Sequence, residues 1–253
     1  MAGKTQRFYG WRPSPPDIRD HKFERAKGVR LASRYDLTSI QPPIYNQLQL
    51  GSCVGNGTAR GFECARMREG LDVWTPSRLL IYFGARTIEK TVNQDSGATI
   101  RDGIKSVARW GACPESLWPY DITKFTNTPS PAAYAEAKKH LATKYESVDN
   151  TIVRDIQAAL AQNKPIVFGA TLYDSFEGDK VAKTGIVPMP GKMEDPVGGH
   201  CMTVVGIDLV ARTIKVANSW GEEWGQKGYC QFPLAYLTNP NLSNDWWVVD
   251  MVT

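Results

Sequence analysis

Helical and strand patterning occupy different halves of this chain of 253 residues, and that segregation limits its possible folds more than any other feature. A helix opens at Cys53 and is expected to run to about Glu69, where Gly70 stops it. Thr75-Pro76-Ser77 starts a second, with apolar residues at Leu79, Leu80, Tyr82, Phe83 and Ile88. A third is expected from about Ile100 to Trp110. Pro119 to Pro131 is loop-like, and Ala132 to Leu141 is helical by composition. Val153 to Gln162 puts Val153, Ile156 and Leu160 on one helix face. The period then changes. Pro165–Tyr173, His200–Asp208, Thr213–Trp220, Gly228–Pro233 and Asp245–Val252 are short, rich in β-branched or aromatic residues, and divided by Gly- and Pro-bearing turns. Helices followed by strands argue for an α+β fold of two lobes, with the cleft between them as the natural place for a site.

Composition narrows the functions. A hydrophobic content of 42% supports a sizeable core, and 30 basic against 26 acidic residues is too even a balance to suggest nucleic acid as a partner. No run of about 18 apolar residues suggests a membrane span. The segment MAGKTQRFYGWRPSPPDIRD lacks an apolar signal core, so a cytoplasmic address is the default expectation, with signal-independent export or particle association left open. Five cysteines (Cys53, Cys64, Cys113, Cys201, Cys230) without a CxxC pair suit neither a disulfide framework nor a structural zinc site. Residues 1–28 are polar and punctuated by Pro13, Pro15 and Pro16, and carry aromatic anchors at Phe8, Tyr9 and Trp11. They read as an extended arm that either docks on the main domain or forms a loose tail. Arg30 to Tyr45 reads as irregular or extended.

Chemistry concentrates in NQLQLGSCVGNGTARGFECARMREG, residues 46–70, where a turn-rich entry gives way to a helix at Cys53. A thiol at a helix N-terminus meets unpaired N–H groups and the positive dipole end, which favour its nucleophilic thiolate. A buried structural cysteine would satisfy this stretch equally well. Three other residues bear on the choice: Gln47, six positions upstream; His200, in VGGHCMTVVGID after two glycines that keep its approach open; and Asn218, in VANSWGEEWGQKGY. His200 could equally be a surface or capped side chain, Asn218 could serve only to satisfy backbone groups at a strand end, and its Asn-Ser-Trp run could be only a turn.

Together they resemble the papain-like cysteine peptidases, whose pattern is a glutamine, a nucleophilic cysteine opening a helix, a histidine, then Asn-Ser-Trp-Gly. His200 follows Cys53 by 147 residues and Asn218 by 165, against roughly 130 to 150 for this family. Trp220, Trp224 and the Gly228-Tyr229 pair extend the match. The resemblance runs from about Val29 to Val252. It implies a two-lobed fold, a helical lobe over about 46–145 and an antiparallel, barrel-like sheet lobe over about 150–253, with terminal segments exchanged between them. It implies a Cys53 thiolate and His200 imidazolium pair hydrolysing peptide bonds through an acyl-enzyme, His200 oriented by Asn218 under the cover of Trp220, and Gln47 donating to the oxyanion. Gly97, in DSGATIRDG, is the candidate for pairing with substrate backbone, to within about one residue, with an ordinary helix-entry turn as its alternative. Trp220 and Trp224 are further substrate-side candidates. No metal or organic cofactor is implied; the partner is a peptide or protein, and residues 1–28 are a candidate short pro-region or lid. Leu50 stands where the family commonly has a disulfide cysteine, and Val54 where an aromatic residue is usual, which suggests a smaller cleft wall. A cell-wall amidase or transglutaminase-like acyl transfer, and a non-enzymatic papain-fold module, are the rival readings.

Overall fold

A computed structural model describes residues 8–26, 28 and 30–253. After a short strand β1 (Arg34–Asp36), three helices form the first lobe: α1 (Cys53–Arg68), α2 (Arg78–Glu89) and α3 (Ile100–Arg109). Ser77 and Thr99 cap α2 and α3 by accepting from the N–H groups of Leu80 and Asp102, which satisfies donors the helices cannot. α4 (Pro131–Ala137) begins with proline, where no N–H is needed. There follow β2 (Ala142–Val148), α5 (Val153–Ala161), β3 (Ile166–Tyr173), α6 (Asp179–Thr184), β4 (Pro196–Asp208), β5 (Thr213–Ala217), β6 (Tyr229–Pro233), α7 (Leu234–Leu237) and β7 (Ser243–Val252). Among the described residues, no helix is long and apolar enough to cross a membrane.

The strands form one antiparallel sheet in the order β2-β7-β3-β4-β5-β6, with β1 added to β4. Alternation along its central strands separates two cores. Val167 on β3 and Trp247 and Val249 on β7 face the helical lobe, whereas Phe168, Ala170, Trp246 and Val248 face a second core with Ile156, Phe176 and Phe232. α1 lies close against the first face. A Cβ at Gly57 would come 2.7 Å from the sulfur of Cys201, so glycine is what permits the approach.

The structure differs from the sequence reading at three elements. β2 has no counterpart among the expected strands: ATKYESV is polar because it is an edge strand bonded only to β7 within the main order, and it brings the sheet forward to Ala142. α4 stops at Ala137, four residues short of the expected end. β4 starts at Pro196, not His200, so the two glycines before the histidine are themselves strand residues paired with β3.

Candidate active site

Cys53 is the first residue of α1, and Ser52 before it makes no side-chain cap, so the first turn offers its N–H groups and dipole to whatever lies at the thiol. Cys201, the residue after His200, packs against the first turns of α1, where a Cβ at Gly57 would come 2.7 Å from its sulfur, so the helical and sheet sides of the cleft meet beside the thiol. His200 itself lies on β4 opposite Ala170. Its Nε2 donates to Asn218 Oδ1 at 2.8 Å, and the same oxygen accepts from Ser219 N at 2.8 Å, which fixes the amide orientation. That bond assigns Nε2 as the protonated nitrogen and leaves the exchange of protons to Nδ1. The Trp220 ring lies over His200 at 5.0 Å between centroids, inclined by 36°.

Gln47 is fully buried on the loop before α1. Its backbone N–H donates to Ser219 O at 2.8 Å, and its side-chain oxygen accepts from Ser219 Oγ at 2.7 Å. The amide nitrogen is thereby aimed the other way, donating to Leu50 O and to Phe8 O, each at 3.0 Å. Ser219 was not singled out in the sequence, although it lies inside the Asn-Ser-Trp-Gly run. Its role is visible only once residues 47 and 219 become neighbours.

Residues 8–12 run through the cleft between the two sides. Ala98 N donates to Gly10 O at 2.7 Å, Arg12 N to Ala98 O at 3.2 Å, and Trp11 N to Gly199 O at 3.0 Å. The arm thus pairs its backbone with Ala98, the residue after Gly97, while Gly97 N donates to the Tyr82 hydroxyl at 3.1 Å. The Trp11 indole fills the space over two glycines: a Cβ would come 1.9 Å from the ring at Gly169 and 2.9 Å from it at Gly199. Its Nε1 donates to Asp245 Oδ2 at 3.2 Å, and Ser14 Oγ donates to the same oxygen at 2.8 Å. Asp245 takes a left-handed backbone conformation (φ 61°), uncommon for a residue other than glycine, where β7 shifts register against β3. Tyr9 lies against Gly198, and its hydroxyl donates to Glu177 at 2.5 Å. The glycines read as keeping an approach open are thus occupied by the chain's own aromatic residues.

The family model of the papain family cysteine proteases matches residues 32–239. An uncharacterized peptidase C1-like protein of Acanthamoeba polyphaga mimivirus is 40% identical over 246 residues, spanning 94% of this chain and 77% of that one. The chain belongs to the papain family of cysteine proteases. Xylellain, a cysteine protease from Xylella fastidiosa, superposes with a TM-score of 0.90 at 35% identity, covering 100% of this chain and 99% of that one. A procathepsin B from Trypanosoma congolense shares the fold at 17% identity, with a TM-score of 0.74 over 97% of this chain and 85% of its own. This papain-family member is thus a thiol protease, a hydrolase of peptide bonds, with the two-lobed α+β architecture of its relatives.

Three features of this papain-family site differ from the sequence reading. Burial pushes the Cys53 thiol up, to about 11, against the smaller opposing effect of hydrogen bonds from the backbone of Cys201, Gly10 and Val54. With residues 8–12 in place, exclusion of water outweighs the helix dipole. Val54 does not line the cleft; it is buried, and a Cβ at Gly103 of α3 would come 2.7 Å from its Cγ1, so its small size serves the α1–α3 contact. Leu50 is likewise a core residue of the helical side, and all five cysteines are buried and unpaired. Trp224 packs behind Trp220 at 5.3 Å and against Phe176 at 5.3 Å, inside the sheet-side core and not on the cleft surface.

Proposed function

We propose that Cys53 is the nucleophile of this protease, His200 its acid and base, Asn218 the residue that orients His200, and Gln47 an oxyanion donor together with the Cys53 N–H. The single observation that carries the reading is the buried His200–Asn218 hydrogen bond, on a strand whose next residue packs against α1 one turn from Cys53. In the open site the Cys53 proton passes to His200 Nδ1. The sulfur attacks the substrate carbonyl carbon, and the π-electron pair moves onto oxygen, where Gln47 Nε2 and the Cys53 N–H receive it. Collapse of this intermediate breaks the C–N bond, and Nδ1 returns its proton to the departing amine. Water then attacks the thioester with His200 as base, releasing the acid and the thiol. Trp220, lying over the imidazole, keeps water from the Nε2–Asn218 bond.

The arm of residues 8–12 is, on the same reading, a built-in occupant of the substrate groove. Phe8 places a carbonyl at the Gln47 amide, Gly10 and Arg12 take the backbone partners that an extended peptide would use, and Trp11 fills a side-chain pocket. Substrate entry then requires the arm to leave. An epoxide inactivator of cysteine peptidases, followed by peptide mapping, tests both parts. Label is expected on Cys53 and on no other cysteine, faster in Trp11→Ala than in the unchanged chain. Undiminished peptide cleavage by Cys53→Ala would overturn the mechanism, and equal labelling rates in the two chains would overturn the lid.

A further inference from the structure

We infer that Arg78 is a positioning residue that sets the spacing of the two oxyanion donors; the inference rests on the roles of Gln47 and Cys53 proposed above. Those donors sit on different kinds of backbone. Gln47 belongs to an irregular loop, with Leu48 next to it in the left-handed region (φ 54°), and Cys53 begins a helix. The intervening turn is braced within itself by Gln47 Nε2 donating to Leu50 O at 3.0 Å and Leu48 N donating to Asn46 Oδ1 at 2.9 Å. Arg78, second residue after the loop at Thr75 and Pro76 and first in α2, reaches both from behind and is 8% exposed.

Its guanidinium makes four hydrogen bonds from its planar fork of five N–H donors. Nη1 donates to Asn46 O at 3.1 Å, the carbonyl just before Gln47, and to Asn56 Oδ1 at 3.1 Å, one turn into α1 beyond Cys53. Nε and Nη2 form a two-point pair with the Glu115 carboxylate, both at 2.8 Å. The plane lies over the Tyr120 ring at 4.0 Å. Tyr120 carries the link onward: its hydroxyl donates to Gln47 O at 2.9 Å and is hydrogen-bonded to Ser52 Oγ at 2.5 Å. Asn56 closes the ring by donating to Ser52 O at 3.0 Å and Ser52 Oγ at 3.2 Å. One cation therefore ties the residue before Gln47, the residue before Cys53 and the first turn of α1 into a single hydrogen-bonded loop. Because Glu115 neutralises the charge beside it, the contribution to catalysis is geometric and not a field acting on the sulfur. Lysine could supply the charge but not the planar set of donors.

The test separates geometry at the oxyanion from general disorder. All variants are made in the full chain carrying Trp11→Ala, so that the groove is open. For Arg78→Lys, kcat is expected to fall on the order of 10- to 100-fold with KM within about twofold, as for a misplacement of about an ångström. Affinity for a peptide aldehyde should fall by the same factor, since the thiol adds across its carbonyl and places the resulting oxygen between the two donors. Alkylation of Cys53 by iodoacetamide, which needs the thiolate but no oxyanion, should stay within about twofold. Tyr120→Phe, which removes one oxygen and leaves the cation in place, should show the same signature at about 2- to 10-fold. Unchanged kcat and aldehyde affinity in Tyr120→Phe and Arg78→Lys would overturn the inference. So would alkylation that falls in step with kcat, because the defect would then lie in the thiol and not in the oxyanion donors. A parent chain that neither cleaves peptide nor takes label at Cys53 would instead overturn the site assignment, and the inference with it.

Discussion

The two walls of the cleft hold the catalytic groups proposed for them by different means. On the helical wall, Gln47 and the start of α1 are placed by side-chain hydrogen bonds that converge on Arg78, Tyr120 and Ser52. On the sheet wall, His200 and Asn218 are placed by backbone: His200 by its register against Ala170, Asn218 by the bond from its N–H to Gly228 O at 2.9 Å. Aromatic rings fill in behind, with Phe176 and Trp224 supporting Trp220. A ladder is a cooperative device, so damage to the sheet wall is expected to act through the whole fold. A bracket of side chains fails piece by piece, so damage to the helical wall can be graded.

The sharpest test of that contrast is to remove one catalytic group from each wall. His200→Ala is expected to cost on the order of 10⁶ in kcat, as removal of the base from a nucleophile–base pair does in serine enzymes. Gln47→Ala should cost on the order of 10² to 10³ in kcat, the range seen for a lost oxyanion donor, with KM little changed. Both are read by steady-state cleavage of fluorogenic peptides. If Gln47→Ala matched His200→Ala, the separation of roles between the walls would be wrong.

The arm touches both walls, and its removal should act in the opposite direction. Trp11→Ala is expected to raise the rate of Cys53 alkylation at pH 8 by about tenfold or more, since a large buried indole anchors the arm. The pH profile provides a second reading. With the arm seated, burial holds the thiol protonated up to about 11. Opening the groove rehydrates it, so alkylation in Trp11→Ala should rise at lower pH than in the unchanged chain. The sign for docking follows: because the seated state raises the thiol pKa, the arm is held most firmly where Cys53 is neutral, and its hold weakens as pH rises toward 11. A profile unmoved by Trp11→Ala would mean that the arm does not control solvent access to the sulfur.

The smallest effect belongs to the bond that crosses between the walls. Ser219→Ala removes the donor to Gln47 Oε1 and should lower kcat about 2- to 10-fold. In a Gln47→Ala background it should have no further effect, because the two residues act as one unit. Additive losses would show that Ser219 works on Asn218 instead.

How much of this could be read from the chain depended on the range of the interactions. The helices at Cys53, Arg78, Ile100 and Val153 announce themselves by caps and periodicity, and the buried strands by β-branched runs. β2 did not, because an edge strand carries exposed Thr143 and Lys144 where a central strand carries apolar residues. The spacing of Gln47, Cys53, His200 and Asn218 was legible because a family pattern preserves it. Ser219, Asp245, Arg78 and Tyr120 were not, since each acquires its meaning from a partner dozens of residues away or more. Gly198 and Gly199 were legible as a close approach but not as to what approaches: the aromatic residues that fill the space come from the other end of the chain.

The seated arm has a consequence beyond gating. Thiolates are the form of cysteine attacked by peroxides, and access governs which sulfurs are lost. Cys53 in this state is 0% exposed and held as the neutral thiol. On the lid proposed above, the same aromatic residues that bar substrate also act as a preservative, keeping the sulfur fit for use through exposure to oxidant. Activity recovered after a peroxide pulse would then measure how much of the population had been resting at the time.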